Sequence, residues 1–451
     1  MLPARPWPGG PGRGGLAGDD GHGPQDSKVL NNSHRGRFQR PLGWLLGLFG
    51  ALTAGFSLGG CAELRRQLPV VVYVAVGLQE GHLLDRDTAD SFASHIRQFV
   101  HEFGRLHPNV LVQTALYPET ELREQIRRRN ASGLGPDLIL TSADLANALL
   151  QQGLVSAMPL DQEERNQIDP ALLDQVIDSH GHQAGQPLVL FTQLACFDRR
   201  RVPTPPATLK ELLAQTATGT QVGLSLELGG LLWSAGSLGG LPGINAAARG
   251  LQPSPEQKQG LVRWLRWLQE ANNQQRVTFL GDQASLRQRL AAGSLDWISC
   301  QSSDLDGLRR SLGSHLGIST LPDGEGQRAS PLNNLRVLAL GRNSSRHQRA
   351  MAIALARYSL KPLVQKTLTL DNRSFLPANR YVNVPVQSSQ VLATMVGARQ
   401  RGESSEALVR WFQLGDPRVK ELEAVLVPLV FGVIEPEAAT EAFVTILQKR
   451  R

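Results

Sequence analysis

The sequence predicts an α/β protein, and three observations carry that reading. After residue 61, short apolar or β-branched runs alternate with amphipathic segments. The order strand, helix, strand repeats twice between residues 68 and 141, which asks for a largely parallel sheet with right-handed crossovers. A chain of 451 residues with 41% hydrophobic residues is also long enough for two or three packed domains and cannot be wholly disordered. Only 3 cysteines are present, too few for a disulfide scaffold or a four-cysteine zinc site. The charge of +7 is small and scattered, so it describes a basic surface and not a nucleic-acid footprint.

Residues 1–23 are crowded with Gly and Pro and offer no apolar periodicity, which reads as disorder. Arg35, Arg37 and Arg40 then precede an apolar run over residues 42–58 and the sequence Leu58-Gly59-Gly60-Cys61. A cationic segment, a short apolar segment and small residues, in that order, make a secretory signal. The run is short for a membrane span, which needs about 20 residues, so an uncleaved anchor is the lesser alternative. Leu58-Gly59-Gly60-Cys61 resembles a bacterial lipoprotein box, which implies lipidation of Cys61, a body held outside the cytoplasm and a translation start downstream of Met1.

The β-branched run 68–76 is read as the first strand, followed by a polar loop over 77–87. Phe92, Ile96, Phe99, Val100 and Phe103 then fall on one face of a helix, which His107-Pro108 stops. Residues 110–115 form the second strand, 119–130 the second helix and 137–141 the third strand, entered through Gly135-Pro136. In open sheets ligands bind beyond the carboxyl ends of the strands, here the loops 78–82 and 141–144. Ser142 and Asp144 are equally suited to cap the next helix.

A second α/β unit is expected from about Pro187, where 187–192 reads as a strand running into 194–198. After a Pro-punctuated turn, Thr208 caps a helix carrying Leu209, Leu212 and Leu213. Strand 221–226, a Gly-rich segment around Trp233, helix 256–271 with Leu261, Trp264, Leu265 and Leu268, and helix 282–292 follow. Strand 295–300 opens onto Gln301, Ser302 and Ser303.

Gly135-Pro136-Asp137-Leu138-Ile139-Leu140 with Gln152-Gly153-Leu154-Val155, and Cys196-Phe197-Asp198-Arg199 with Val202-Pro203 and Pro205-Pro206, resemble passages of extracellular solute-binding proteins of bacterial ABC importers. The similarity is to the carbohydrate-binding family that includes maltose-binding protein. It continues in order through 293–300, 317–322, 331–340, 350–360, Phe375-Leu376-Pro377-Ala378 and 425–439. It implies a two-lobed periplasmic-binding-protein fold, with a first lobe over 61–192 completed by about 335–365 and a second over 193–332 completed by about 370–451. The lobes close on a solute by hinge motion, and the chain is expected to cross between them near 192–193, 331–334 and 361–375.

By position, the resemblance places Gln79, Glu80, Thr141, Ser142 and Asp144 at the cleft from the first lobe and Gln193 at the first crossing. It places Glu227, Trp233, Gln301 and Ser302 there from the second lobe, with Asn333 and Asn334 at the second crossing. Carboxylates and amides suit sugar hydroxyls, and a ring covers a pyranose face. Thr141 and Ser303 stand where many relatives that bind long oligosaccharides carry aromatic rings, and Asn333-Asn334 replaces a frequent Gly-Gly. A small, very polar solute such as a sugar, glycoside or osmolyte is therefore expected, delivered by a monomeric receptor to membrane permease subunits. The alternative is a tethered scaffold that keeps the fold without the solute.

Trp233 and Trp297 sit in apolar contexts where core packing competes with ligand stacking. No His-Glu-x-x-His, Gly-x-Ser-x-Gly or Walker loop occurs, so neither an enzyme nor a cofactor or metal is expected. His180 and His182 read as a solvated loop. Cys196 and Cys300 lie on strands of one unit, as a disulfide or, the expected state, as two buried free thiols.

Overall fold

The computed structural model describes residues 69–78, 86–178, 180–402 and 416–449. The segment read as a secretory signal, Cys61, Gln79 and Glu80 lie outside the described residues. The described residues all fall within one compact unit. It is built on two sheets flanked by helices, the two-lobed architecture the sequence implies.

The first sheet has the order β12-β5-β11-β3-β1-β2, with β4 on the flank of β11. These strands are β1 (Val70–Leu78), β2 (Val110–Pro118), β3 (Leu138–Ser142), β4 (Val155–Ser156), β5 (Gln186–Phe191), β11 (Asn334–Gly341) and β12 (Leu376–Pro377). β1 pairs parallel with β2 and β3, and β11 runs antiparallel between β3 and β5. The run Val70-Val71-Val72-Tyr73-Val74 is β-branched and aromatic, as a buried strand requires. Helices Glu119–Ala131, Ala143–Gln151 and Arg346–Leu360 cover this sheet. Phe103 of helix Arg86–Leu106 is fully buried, and Ile96 and Phe99 pack against the same core. That stripe is the amphipathic face read from the spacing.

The second sheet has the order β10-β6-β9-β7-β8, from β6 (Gln193–Asp198), β7 (Val222–Ser225), β8 (Val277–Leu280), β9 (Trp297–Gln301) and β10 (Leu316–Ser319). One face holds Leu194, Cys196, Ile298 and Cys300 and continues into the core of the first sheet. The other packs Trp297, Trp233, Trp264 and Trp267 against helices Leu228–Ser237, Pro255–Asn272, Pro417–Val430 and Pro436–Gln448. Helix Pro255–Asn272 starts with Pro at its first position and a reciprocal capping box between Ser254 and Gln257, which satisfies two orphan donors of its first turn.

Four expectations are corrected. Strand 187–192, read as the opening of the second unit, belongs to the first sheet as β5, because β11 and β12 flank it. The Gly-rich segment around Trp233 is a helix; a Cβ at Gly236 would meet Ser330 N at 2.7 Å, so glycine there permits close approach of a neighbouring backbone, and burial overrides weak propensity. The third crossing falls after β12, which still pairs with β5 of the first sheet, and helix Gln390–Arg401 beyond it contacts β12 as well as β6 and β10. Finally, Cys196 and Cys300 form a disulfide with Cα atoms 5.9 Å apart. The β6/β9 register sets Cys196 opposite Ile298 and Cys300 opposite Leu194, so the cysteines are diagonal neighbours on one face, within bridging distance.

Candidate functional site

β5 and β6 belong to different sheets, yet only Thr192 separates them. Thr192 is fully buried and braced in both directions by Ser302, whose Oγ accepts from the Thr192 N–H at 3.0 Å and whose N–H donates to the Thr192 carbonyl at 2.8 Å. Gln193 then opens β6 opposite Gln301, the last residue of β9. The Gln193 amide oxygen accepts from Leu332 N–H at 2.9 Å, and its Nε2 lies 3.4 Å from the carbonyls of Gly229 and Gly230, to which it donates. Gln301 Nε2 donates to the Leu332 carbonyl at 3.3 Å. Two amides from facing strands thus hold the backbone of the second crossing segment at both its donor and its acceptor.

Asn333, next in that segment, is buried and donates through Nδ2 to the Arg399 carbonyl at 3.5 Å. The side-chain oxygens of Gln301 and Asn333 are buried with no hydrogen-bond partner, which leaves two acceptors uncommitted near Leu332. Asn334 starts β11 opposite Phe191.

On the first sheet, Thr141 and Ser142 end β3 and are both buried. Each is already engaged. Thr141 Oγ1 donates to Glu119 Oε1 at 2.8 Å, the Ser142 N–H donates to the same oxygen at 2.7 Å, and Ser142 Oγ caps helix Ala143–Gln151 by accepting from Leu145 N–H. The other Glu119 oxygen accepts from Arg336, whose guanidinium also donates to the Gly77 carbonyl at the end of β1. Glu119 and Arg336 are 6% and 7% exposed, so the pair lies out of water. Burial alone pushes the Glu119 carboxyl up; the Arg336 charge and the hydrogen bonds from Ser142, Arg336 and Thr141 outweigh it and hold the group below the usual carboxylate range. Asp144 sits half-buried in the first turn of its helix.

Glu227 precedes helix Leu228–Ser237, and its carboxylate accepts from Gln283 N–H at 3.3 Å and Ser225 Oγ at 3.5 Å. Burial raises its pKa, with Asp282 and Glu423 adding in the same direction. Glu423 caps the same helix by accepting from Leu228 N–H at 3.0 Å. Trp233 is placed elsewhere. It is fully buried in the second core, with ring centroids 6.4 Å from Trp267 and 6.3 Å from Trp297. Trp297 is likewise fully buried.

The structure therefore gathers Gln193, Gln301, Ser302 and Asn333 around Thr192 and Leu332, and separately gathers Thr141 and Ser142 on Glu119. Sequence reasoning missed Glu119 and Arg336. A signal was present: Arg336 is a single charge inside Leu335–Leu340, an otherwise apolar run, and a charge in a buried strand requires a partner. Between the first sheet and helices Arg86–Leu106 and Pro362–Asn372 lies a cavity of about 180 Å³, lined mainly by apolar side chains such as Val76, Leu140, Phe99 and Leu368, with Asn334, Arg336 and Ser303 as polar contributions.

No family profile and no curated protein matches the chain by sequence. Solved structures do match it in fold. The GacH receptor of Streptomyces glaucescens, determined unliganded and with acarbose and an acarbose homolog, is 14% identical with a TM-score of 0.65, over 85% of this chain and 100% of that one. A maltose-maltodextrin binding protein of the thermoacidophilic bacterium Alicyclobacillus acidocaldarius is 15% identical with a TM-score of 0.63, over 84% of this chain and 100% of that one. A cyclo/maltodextrin-binding protein complexed with maltotetraose is 15% identical with a TM-score of 0.60, over 84% and 96%. The chain shares the fold of these proteins. Among the described residues, no helix is long and apolar enough to cross a membrane.

Proposed function

We propose that this chain is an extracytoplasmic receptor, tethered by lipid on Cys61, that takes up a sugar or sugar-like solute between its two sheets and delivers it to an ABC permease. The observation that carries the reading is the cluster of Gln193, Gln301, Ser302 and Asn333 where the chain passes between sheets. Two of its buried carbonyl oxygens have no hydrogen-bond partner, and a hydroxyl-rich solute supplies donors for them. The neighbours' named ligands, maltodextrins and acarbose, support a carbohydrate class. Gln79, Glu80, Thr141, Ser142, Asp144, Glu227 and Asn334 are proposed as surrounding contacts, with lobes divided near residues 192 and 332. The basic, apolar, small-residue order ending in Cys61 supports the tether.

A second reading has an observation of its own. The Thr141 hydroxyl and the Ser142 backbone N–H already donate to Glu119, as expected of a scaffold that keeps the fold without a solute. Calorimetric titration with mono- and disaccharides, glycosylated polyols and compatible solutes separates the two. One saturable class at 1:1 stoichiometry, weakened in Gln193→Ala, supports the receptor. Saturation with that solute at 100 times its Kd adds about 2.7 kcal/mol of stability. Absence of binding by well-folded protein supports the scaffold. Incorporation of radiolabelled palmitate by the wild type and not by Cys61→Ala tests the tether.

A further inference from the structure

We infer that the surface loop carrying Asp178, His180 and His182 is a site for a divalent transition-metal ion of the zinc class, separate from the polar cluster at the sheet crossing. Among the described residues these three side chains are the group whose ligand atoms all lie within 4.8 Å of one another.

The loop is built to hold them there. A bridge between Ile177 and Gln183 closes its base, Asp178 N–H donates to the His182 carbonyl at 3.0 Å, and Gly181 makes the turn at φ +80°, where a side chain would be strained. Asp178 Oδ1 accepts from the N–H groups of both His180 and His182 at 2.8 Å. Those two bonds fix the carboxylate plane and leave Oδ2 turned toward the two imidazoles. His182 Nδ1 lies 3.2 Å from it and His180 Nδ1 3.8 Å from it. The Asp178 side chain is only 9% exposed, while the imidazoles are 78% and 62% exposed, so the carboxylate is anchored and the two rings stand at the surface.

Two of the three separations are set by Asp178 Oδ2 and suit one ion, and the third, between the imidazoles, is no more than 4.8 Å. In a tetrahedral site with bonds of 2.0–2.2 Å, neighbouring ligand atoms stand about 3.3–3.6 Å apart, a range that the two measured separations bracket. Imidazole nitrogen and carboxylate oxygen together select zinc, nickel, copper or cobalt over magnesium and calcium, which prefer all-oxygen shells. The fourth position is left to water. The backbone N–H groups on Oδ1 act as the outer support that metal-ligating carboxylates commonly have.

The test uses the full chain prepared without a polyhistidine tag, titrated calorimetrically with Zn²⁺ alone, and with Co²⁺ followed by visible absorption. One ion per chain, with a cobalt spectrum of imidazole and oxygen ligation, is expected. His180→Ala and His182→Ala should each weaken binding at least about tenfold. Asp178→Asn is the sharper variant, because its amide oxygen can keep the two backbone hydrogen bonds while Oδ2 is replaced by a nitrogen that does not ligate. It should fold like the wild type and lose the ion to the same degree. No Zn²⁺ binding by the wild type below millimolar concentration overturns the inference, and so does binding that survives in His182→Ala, which assigns the ion to other histidines.

Discussion

Arg336 and Glu119 are 217 positions apart in the chain and meet as a buried ion pair that joins β11 to the helix following β2. Through Thr141 and Ser142 on one carboxylate oxygen and Gly77 on the guanidinium, this pair ties the ends of β1 and β3 into one polar knot. It holds Thr141 and Ser142, two of the proposed solute contacts, in place.

Removing one partner leaves an uncompensated buried charge. Arg336→Met should destabilise the protein by about 3–5 kcal/mol in denaturant unfolding, and the double variant with Glu119→Gln should recover a large share of that loss. Equal, additive losses in the single variants would show that the two groups are not energetically coupled.

The pair also fixes a pH dependence. Glu119 is held below its ordinary value, so its contribution is full above the unfolded carboxylate range near 4.5 and is lost as pH falls through the lower folded value. In Arg336→Met the burial of Glu119 is unopposed by that charge, which drives its pKa up. Urea unfolding between pH 3 and 6 should show wild-type stability rising with pH, and the variant gaining much less over the same interval.

Glu227 behaves in the opposite sense. Burial raises its pKa, so stability is full below the unfolded value and declines as pH rises toward the folded one. Glu227→Gln should therefore melt higher than wild type at neutral pH and converge with it in acid. If Glu227 also faces solute, the same variant binds more weakly while being more stable, a combination that a purely structural residue does not give.

The disulfide joins positions 104 apart, with both sulfurs in fully buried residues. Cys196→Ala with Cys300→Ala should cost about 2–5 kcal/mol. Thiol titration of the native protein in the presence of a reductant should find these two groups unreactive until denaturant is added.

Trp233 fills the second core, and Trp233→Ala should cost about 3–5 kcal/mol. Solute affinity in the milder Trp233→Phe should stay near wild type. A selective loss of binding in that folded variant would return the ring to the ligand.

The repeated strand-helix-strand order, the amphipathic stripe of Phe103 and the helix read over 256–271 were legible because each depends on residues a few positions apart. The disulfide was not, because it depends on the β6/β9 register, which no local pattern states. Helix Leu228–Ser237 was hidden by its glycines, whose role becomes visible only against Ser225 and Ser330. At the candidate site, Gln301 and Ser302 were picked out by their position after a strand, and Gln193 and Asn333 by the resemblance alone. Arg336 was overlooked because its partner lies on the far side of the chain's second unit.

The placement of β11 has a consequence for the order in which the protein is made. It is inserted between β3 and β5, so those earlier strands cannot be joined until residue 341 has left the ribosome. The strands of the second sheet, all between 193 and 319, are available sooner. The nascent chain must carry two unfinished edges of its first sheet through the synthesis of its second, an interval of tens of seconds at the slower elongation rates of about 5 residues per second. Exposed edges pair readily with other strands, so holding the chain unfolded until β11 arrives serves it better than early collapse.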